Sequence, residues 1–205
     1  MPLYKTIKSN QHSQIVVWKI EESLDELYQE ISLTQNSLNR ISNMRSEIHR
    51  KGYLSVRHLL KSAGYNDDDL FYTEDGKPHL KDGKHISITH SFIFSGIIIS
   101  DYPVGIDIEM NREKILKIAS KFVADEFNFL EKEQLVEQLT VVWGAKESLY
   151  KIHPESGLLF KHHLPIEPFK LSDGQTRGWI KKDKFFEVYS IYFEPLENFT
   201  LVYAV

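Results

Sequence analysis

Two acidic side chains stand two positions apart in the short apolar segment Val-Gly-Ile-Asp-Ile-Glu-Met, residues 104–110. Side chains alternate across a β-strand, so Asp107 and Glu109 would share one face with Gly105. Neighbouring carboxylates raise one another's pKa unless a cation lies between them, and oxygen ligands of this kind favour Mg²⁺. The spacing therefore indicates a metal site, with Gly105 leaving room for a ligand. A solvated acidic face on an edge strand fits the same spacing.

A second group of charges interrupts an apolar stretch at residues 141–153. On a helix, Trp143, Glu147 and Lys151 recur at i, i+4 and i+8 and would form one stripe. Glu147 could supply a third carboxylate to the metal, and Lys151 could neutralise a phosphate bound there. A surface pair of Glu147 and Lys151, worth about 0.3–0.5 kcal/mol, is the alternative, and spacing does not decide between them.

Potential phosphate ligands occur earlier in the chain. Thr89, His90 and Ser91 end a predicted strand and offer hydroxyls and an imidazole, although a structural hydrogen bond is the commoner role for a single histidine. Arg50 and Arg57, seven residues apart on one helix, could bind a phosphate through their guanidinium groups. An ordinary solvated basic face is the alternative for the two arginines.

Composition limits the class of protein. The chain has 205 residues, 41% hydrophobic content, a net charge of -4 and no cysteine. It can bury a sizeable core, but it can form no disulfide or thiolate, and its charge gives no reason to expect nucleic acid. No apolar run approaches the ~18 residues of a membrane span, and the N-terminus lacks a signal-peptide core. We therefore expect a cytoplasmic protein without nucleic-acid or membrane partners.

Hydrophobic periodicity predicts the elements that would position these residues. Strands are predicted at 14–20, 85–91, 94–100, 104–110, 165–171, 184–193 and 198–205, and helices at 21–33, 44–63, 112–121, 124–133 and 135–153. The segment 63–84 is predicted as a loop. This order indicates an α+β protein of two similar lobes, 1–103 and 104–205. A ligand site is expected between the lobes, where pockets are frequent.

The order of four motifs resembles the 4'-phosphopantetheinyl transferase superfamily. They are Gly76-Lys77-Pro78, Ile86-Ser87-Ile88-Thr89-His90-Ser91, Gly105-Ile106-Asp107-Ile108-Glu109 and Trp143-Gly144-Ala145-Lys146-Glu147-Ser148-Leu149-Tyr150-Lys151. The length resembles the two-lobed, surfactin-synthetase-activating type, in which the lobes are related by a pseudo-two-fold axis. Thr89 stands where the family usually has serine and keeps the hydroxyl.

The resemblance implies transfer of 4'-phosphopantetheine from coenzyme A to a serine of an apo acyl or peptidyl carrier protein, with release of 3',5'-adenosine bisphosphate. It implies Mg²⁺ as cofactor and a monomer with one coenzyme A site. Asp107, Glu109 and Glu147 would hold the metal, and Asp107, Glu147 and Lys151 would serve catalysis. Lys77, Thr89, His90, Arg50 and Lys151 would bind coenzyme A.

Two questions stay open in the sequence. The base that takes the serine proton is either Glu147 or a water held at the metal. A non-catalytic, Mg²⁺-dependent coenzyme A or nucleotide-binding module and a Mg²⁺ phosphohydrolase are the alternative functions, and an assay with an apo-carrier protein separates them from a transferase.

Overall fold

The computed structural model describes residues 3–8, 12–153 and 157–205. The chain divides into two compact units, Met1–Tyr102 and Pro103–Val205. Each unit contains a four-stranded antiparallel sheet with helices, so the predicted α+β class is confirmed. The sequence placed lobes at 1–103 and 104–205, and their standing as separate domains stays a prediction. No helix among the described residues combines the length and the apolar character needed to cross a membrane.

The first unit is built on a sheet with the strand order β1-β2-β6-β5. Its elements are β1 (Leu3–Lys8), β2 (Ser13–Lys19), α1 (Leu24–Tyr28), α2 (Gln35–Ser42), α3 (Glu47–Ser62), β3 (Leu70–Tyr72), β4 (Pro78–Leu80), β5 (His85–Ser91) and β6 (Phe94–Ser100). Ser46 caps α3 by accepting a hydrogen bond from the His49 amide. The buried face of α3, including Leu54 and Leu59, packs with Val16 and Ile97 of the two central strands. Alternating apolar residues in the strands therefore place one sheet face against α3.

A buried ion pair ties α3 to the turn that precedes β3. Nε of Arg57 lies 2.9 Å from Oδ1 of Asp67, and both side chains are almost fully buried. Asp67 also accepts hydrogen bonds from Thr34 and Ser37, and Arg57 donates to the hydroxyl of Tyr53. Burial alone would raise the pKa of Asp67, but these hydrogen bonds outweigh it and lower the pKa. Arg57 is therefore a structural residue rather than an open phosphate ligand.

The second unit repeats the plan of one long helix on an antiparallel sheet, with the strand order β7-β10-β9-β8. Its elements are β7 (Gly105–Met110), α4 (Ala119–Phe122), α5 (Leu135–Ile152), α6 (Phe160–His163), β8 (Gln175–Lys182), β9 (Phe185–Leu196) and β10 (Phe199–Ala204). Leu139, Val142 and Leu149 of α5 pack with Ile191 and Phe193 of β9. This core fixes α5 across the sheet.

Two glycines let α5 approach the sheet closely. A Cβ atom on Gly105 would lie 2.0 Å from the carbonyl oxygen of Ser148, and one on Gly144 would lie 2.7 Å from the side chain of Val202. The expectation that Gly105 leaves room for a ligand is therefore wrong. The backbone of α5 fills the space at Gly105. A side chain at this position would push the helix away from β7.

Several predicted elements need correction. The predicted helix at 124–133 forms two short 3₁₀ turns, since Glu126 directs its carboxylate inward and accepts a hydrogen bond from the Ala124 amide. The predicted strand at 165–171 makes one isolated bridge, at Ile166, because Pro165 and Pro168 cannot donate to a ladder. The predicted helix at 21–33 is only α1, and the one at 112–121 is a 3₁₀ turn followed by α4.

The sequence also missed elements. The predicted loop at 63–84 contains the β3–β4 hairpin, closed by a turn in which Gly76 has a φ of +84°. Strands β1 and β8 and helix α2 were not predicted either.

Replacing Asp67 with asparagine should lower the free energy of unfolding by about 3 kcal/mol, because Arg57 would stay buried without its counter-charge. Urea denaturation at pH 7 would measure the loss. The matched control is Asp68→Asn, since Asp68 pairs with Lys81 on the exposed surface and should change stability by less than about 1 kcal/mol. Equal losses in the two variants would contradict this account of the pair.

Candidate functional site

The site in the second unit forms where β7 faces α5. Nζ of Lys151 lies 2.9 Å from Oδ1 of Asp107 and 2.7 Å from the carbonyl oxygen of Ile106. Asp107 is 6% exposed, so its side chain is turned toward the helix rather than toward water. The spacing allowed a surface pair of Glu147 with Lys151. In the structure Lys151 instead pairs with Asp107 of β7.

Trp143 connects the same helix to the second acid of the strand. Its indole Nε1 donates a hydrogen bond of 3.2 Å to Oε1 of Glu109. The indole ring is packed between Phe122, with ring centroids 5.0 Å apart, and Phe160, at 5.3 Å. The stripe of Trp143, Glu147 and Lys151 predicted from spacing therefore lies along β7.

The three carboxylates are close enough to influence one another's ionisation. Burial, followed by the charge of Asp107, raises the pKa of Glu147 to about 7, while Lys151 opposes the rise and Glu109 adds to it. Burial and the charge of Asp107 also raise the pKa of Glu109, against the hydrogen bond from Trp143. A carboxylate with a pKa near neutrality can exchange a proton at physiological pH.

The donor set suits a hard divalent cation, although the side chains do not lie in a chelating arrangement. Three carboxylates supply oxygen atoms only, which Mg²⁺ prefers, and a cation among them would counteract the burial and the repulsion by Asp107 that raise the pKa of Glu147. Within residues 3–8, 12–153 and 157–205, no three His, Asp or Glu side chains are positioned to hold a metal ion. Asp107 instead faces Lys151, and Glu109 faces Trp143. The residues therefore fit a divalent cation in the type of their donor atoms and not in their present arrangement.

Lys146, which directly precedes Glu147, points away from this group. Its side chain is 0% exposed, and Nζ lies 2.6 Å from Oε1 of Glu126, which is 4% exposed. Nζ also donates to the carbonyl oxygens of Phe122, at 2.7 Å, and Phe160, at 3.1 Å. The sequence patterns assigned no role to Lys146 or Glu126, since the two residues lie on separate elements.

In the first unit, His90 ends β5 beside the start of α3. Its ring lies against Gly52, where a Cβ atom would be 2.5 Å from Cδ2 of the imidazole. The ring of His49 stacks on it with centroids 6.1 Å apart. Together with Ser46 and Ser91 these residues line a groove of about 260 Å³. The sequence did not single out His49 as a neighbour of His90, since the two lie on separate elements.

The other predicted ligands of coenzyme A lie apart from that groove wall. Thr89 is 6% exposed and, by strand alternation, faces the side of the sheet opposite to His90. Lys77 lies in the β3–β4 turn, where burial lowers its pKa against the effect of Asp75. Nε of Arg50 is buried and makes no hydrogen bond within the part of the chain that the structure describes.

Comparison with known proteins decides the family. Residues 103–204 match the family model described as the 4'-phosphopantetheinyl transferase superfamily, and this match spans the second unit with both of its acidic motifs. The chain belongs to the 4'-phosphopantetheinyl transferase superfamily. The resemblance seen in the motifs is therefore confirmed.

A curated relative agrees with this membership. The chain is 33% identical over 151 residues to a protein named 4'-phosphopantetheinyl transferase gsp, from Aneurinibacillus migulanus. The similarity covers 70% of this chain and 61% of that protein. The chain thus spans less than two thirds of the length of its superfamily relative.

The raised pKa of Glu147 predicts a pH dependence of stability. In the unfolded chain Glu147 ionises near pH 4.3, at about the usual value for glutamate, whereas in the folded protein it keeps its proton up to a pKa of about 7. Folding takes up a proton between these values, so the contribution of Glu147 to the free energy of unfolding falls as the pH rises through this window.

Glu147→Gln should therefore be more stable than the parent protein at pH 8 by about 2 kcal/mol, with no gain at pH 4. Urea denaturation in the presence of a chelator, at both pH values, measures the difference. Glu137→Gln is the control, since Glu137 lies exposed on the same helix. Parallel pH profiles for the parent and Glu147→Gln would show that the Glu147 carboxylate is not held in its raised-pKa environment.

Proposed function

We propose that this protein transfers 4'-phosphopantetheine from coenzyme A to a serine hydroxyl of an apo acyl or peptidyl carrier protein. The observation that carries the proposal is the group of Asp107, Glu109, Glu147 and Lys151 at the contact of β7 with α5. It lies in the unit that matches the superfamily, and the relative is named a 4'-phosphopantetheinyl transferase. The proposed enzyme acts as a monomer.

The carboxylates are proposed to hold Mg²⁺, with Asp107, Glu109 and Glu147 as its protein ligands. When bound, Mg²⁺ neutralises charge that develops on the pyrophosphate oxygens during phosphoryl transfer. In the structure Asp107 is paired with Lys151, and Glu109 is oriented by Trp143. The contact with Trp143 confines Glu109 before the ligand arrives, which reduces the entropy lost on binding.

Proton transfer is assigned to Glu147. The serine oxygen forms a bond to the phosphorus that carries pantetheine, the bond to the bridging pyrophosphate oxygen breaks, and 3',5'-adenosine bisphosphate leaves. Glu147 takes the serine proton, a role that a carboxylate can fill when it lies beside the reacting hydroxyl. Lys151, whose ammonium already faces Asp107, stabilises the charge that accumulates on the leaving oxygen.

The first unit is proposed to bind the nucleotide part of coenzyme A. His90, stacked with His49 beside the start of α3, offers an imidazole to a phosphate, and Lys77 offers an ammonium. The buried Nε of Arg50 has no hydrogen-bond partner among the described residues, so its guanidinium has donor capacity left for a phosphate. Thr89 is kept as a proposed ligand through its hydroxyl on the other face of β5.

Incubation of the protein with Mg²⁺, coenzyme A and an apo-carrier protein should produce a phosphopantetheine adduct that intact mass spectrometry detects. Glu147→Gln should lower the turnover number about 100-fold, because a base and a metal ligand are lost together. Glu137→Gln, on the exposed face of α5, should keep the parent rate.

Two other outcomes would replace the proposal, and a third would change its mechanism. Coenzyme A binding without an adduct across a broad carrier panel would identify a binding module. Release of pantetheine phosphate into water without a carrier would identify a hydrolase. Near-parent turnover of Glu147→Gln would remove Glu147 from the mechanism.

His90→Ala should weaken coenzyme A binding about tenfold, corresponding to the loss of roughly 1.4 kcal/mol from a hydrogen bond to a charged phosphate. Isothermal titration with coenzyme A in the absence of a carrier protein measures this change. His79→Ala is the matched control, because His79 is an exposed histidine stacked on Phe71 in the hairpin. Equal affinities for the His90→Ala and parent proteins would exclude His90 from the nucleotide site.

A further inference from the structure

A fully buried lysine in the second unit makes three polar contacts that converge on one point. Nζ of Lys146 lies 2.6 Å from the Glu126 carboxylate, 2.7 Å from the carbonyl oxygen of Phe122 and 3.1 Å from that of Phe160. The ammonium has three donor positions, and each has an acceptor. Lys146 thus fastens two chain segments, around α4 and around α6, to the middle of α5.

The two carbonyls belong to the residues whose rings enclose Trp143. The Phe122 ring meets the indole edge-on, with an interplanar angle of 71°, and the Phe160 ring is tilted by 38°. Phe122 is 1% exposed, so its ring is locked in the core. Anchoring the backbone at these two residues therefore also sets the position of both rings around the indole.

The indole in turn holds Glu109. Its Nε1 donates to Oε1 of that carboxylate at 3.2 Å, and this bond fixes the direction in which Glu109 presents its oxygens. We propose that Lys146, paired with Glu126, is a positioning residue that sets the orientation of Glu109 through Phe122, Phe160 and Trp143. The assignment rests on the proposed function in one respect, since it takes Glu109 as a ligand of the divalent cation.

The ion pair of Lys146 with Glu126 would contribute little if its only role were to stabilise the fold. Moving two charges out of water costs several kcal/mol for each ion, and a buried pair can often be replaced by apolar side chains without loss of stability. Glu126 adds hydrogen bonds from the amides of Ala124, at 2.7 Å, and Ile166, at 3.3 Å. A network of this kind fixes one arrangement of the backbone, which apolar packing does less sharply.

The experiment uses the fluorescence emission of Trp143 to report on the surroundings of its indole ring. The chain has three tryptophans, so Trp18→Phe and Trp179→Phe leave Trp143 as the single indole. In this background Lys146→Met should shift the emission of Trp143 to longer wavelength as water reaches the indole. Affinity for Mn²⁺, measured by electron paramagnetic resonance, should fall about tenfold, as expected when a residue supporting a metal ligand is removed.

Two further variants keep the test decisive if Lys146→Met folds poorly. The double variant Glu126→Gln with Lys146→Met removes both charges, so no buried ion is left alone, and it should show the same two changes. Trp143→Phe keeps an aromatic ring but loses the N–H donor, and it should weaken Mn²⁺ binding to a similar extent.

Thr140→Val is the matched control on the same helix. Thr140 is 0% exposed, and its hydroxyl donates to the carbonyl oxygen of Val136 within α5. This variant loses a buried polar group, so it should lower stability while leaving Trp143 emission and Mn²⁺ affinity at the parent values.

The outcomes separate this inference from the proposed function. Parent-like emission in a folded Lys146 variant would overturn the link from Lys146 to Trp143, and a shifted emission with unchanged Mn²⁺ affinity would overturn the link to Glu109. If the parent protein binds Mn²⁺ and the variants behave as expected, but no carrier is modified, the positioning role stands and the transferase proposal falls.

Discussion

The repulsion among three carboxylates at the contact of β7 with α5 is the constraint on which the second unit depends. Asp107, Glu109 and Glu147 lie in a partly dry environment, where like charges interact far more strongly than in water. Each carboxylate is stabilised in a different way. Asp107 pairs with the ammonium of Lys151, and Glu109 accepts a hydrogen bond from the indole N–H of Trp143. Glu147 keeps its proton up to about pH 7. Trp143, Glu147 and Lys151 all lie on α5, so the position of this helix controls how the three carboxylates are stabilised.

The position of α5 is set by small side chains on one side and by buried charge on the other. Gly105 and Gly144 remove the atoms that would hold helix and sheet apart. Lys146 joins the opposite surface of α5 to the segments at α4 and α6. Consecutive residues, Lys146 and Glu147, therefore have opposite tasks, because neighbours on a helix point about 100° apart. One belongs to the scaffold and the other to the proposed reaction.

Much of this arrangement could be predicted from spacing, and the remainder needed long-range contacts. The stripe of Trp143, Glu147 and Lys151 follows from helix geometry, and Asp107 with Glu109 follows from strand alternation. The role of Gly105 was predicted wrongly, because strand spacing shows which face a residue occupies but not what lies opposite. The pairing of Lys146 with Glu126 and that of Arg57 with Asp67 join residues 20 and 10 positions apart in sequence across irregular segments, where no periodic signal exists. The short 3₁₀ turns and the β3–β4 hairpin escaped prediction for the same reason.

The ion pair between Lys151 and Asp107 also bears on how this unit assembles. The positive charge beside Asp107 is supplied by one of the unit's own side chains, 2.9 Å away. A zinc finger, by contrast, has no stable fold until its ion arrives. Here the Lys151 ammonium already supplies positive charge beside Asp107, so the fold of this unit includes its own counter-charge. A cation bound at Asp107 under the proposed function would have to take the place of that ammonium.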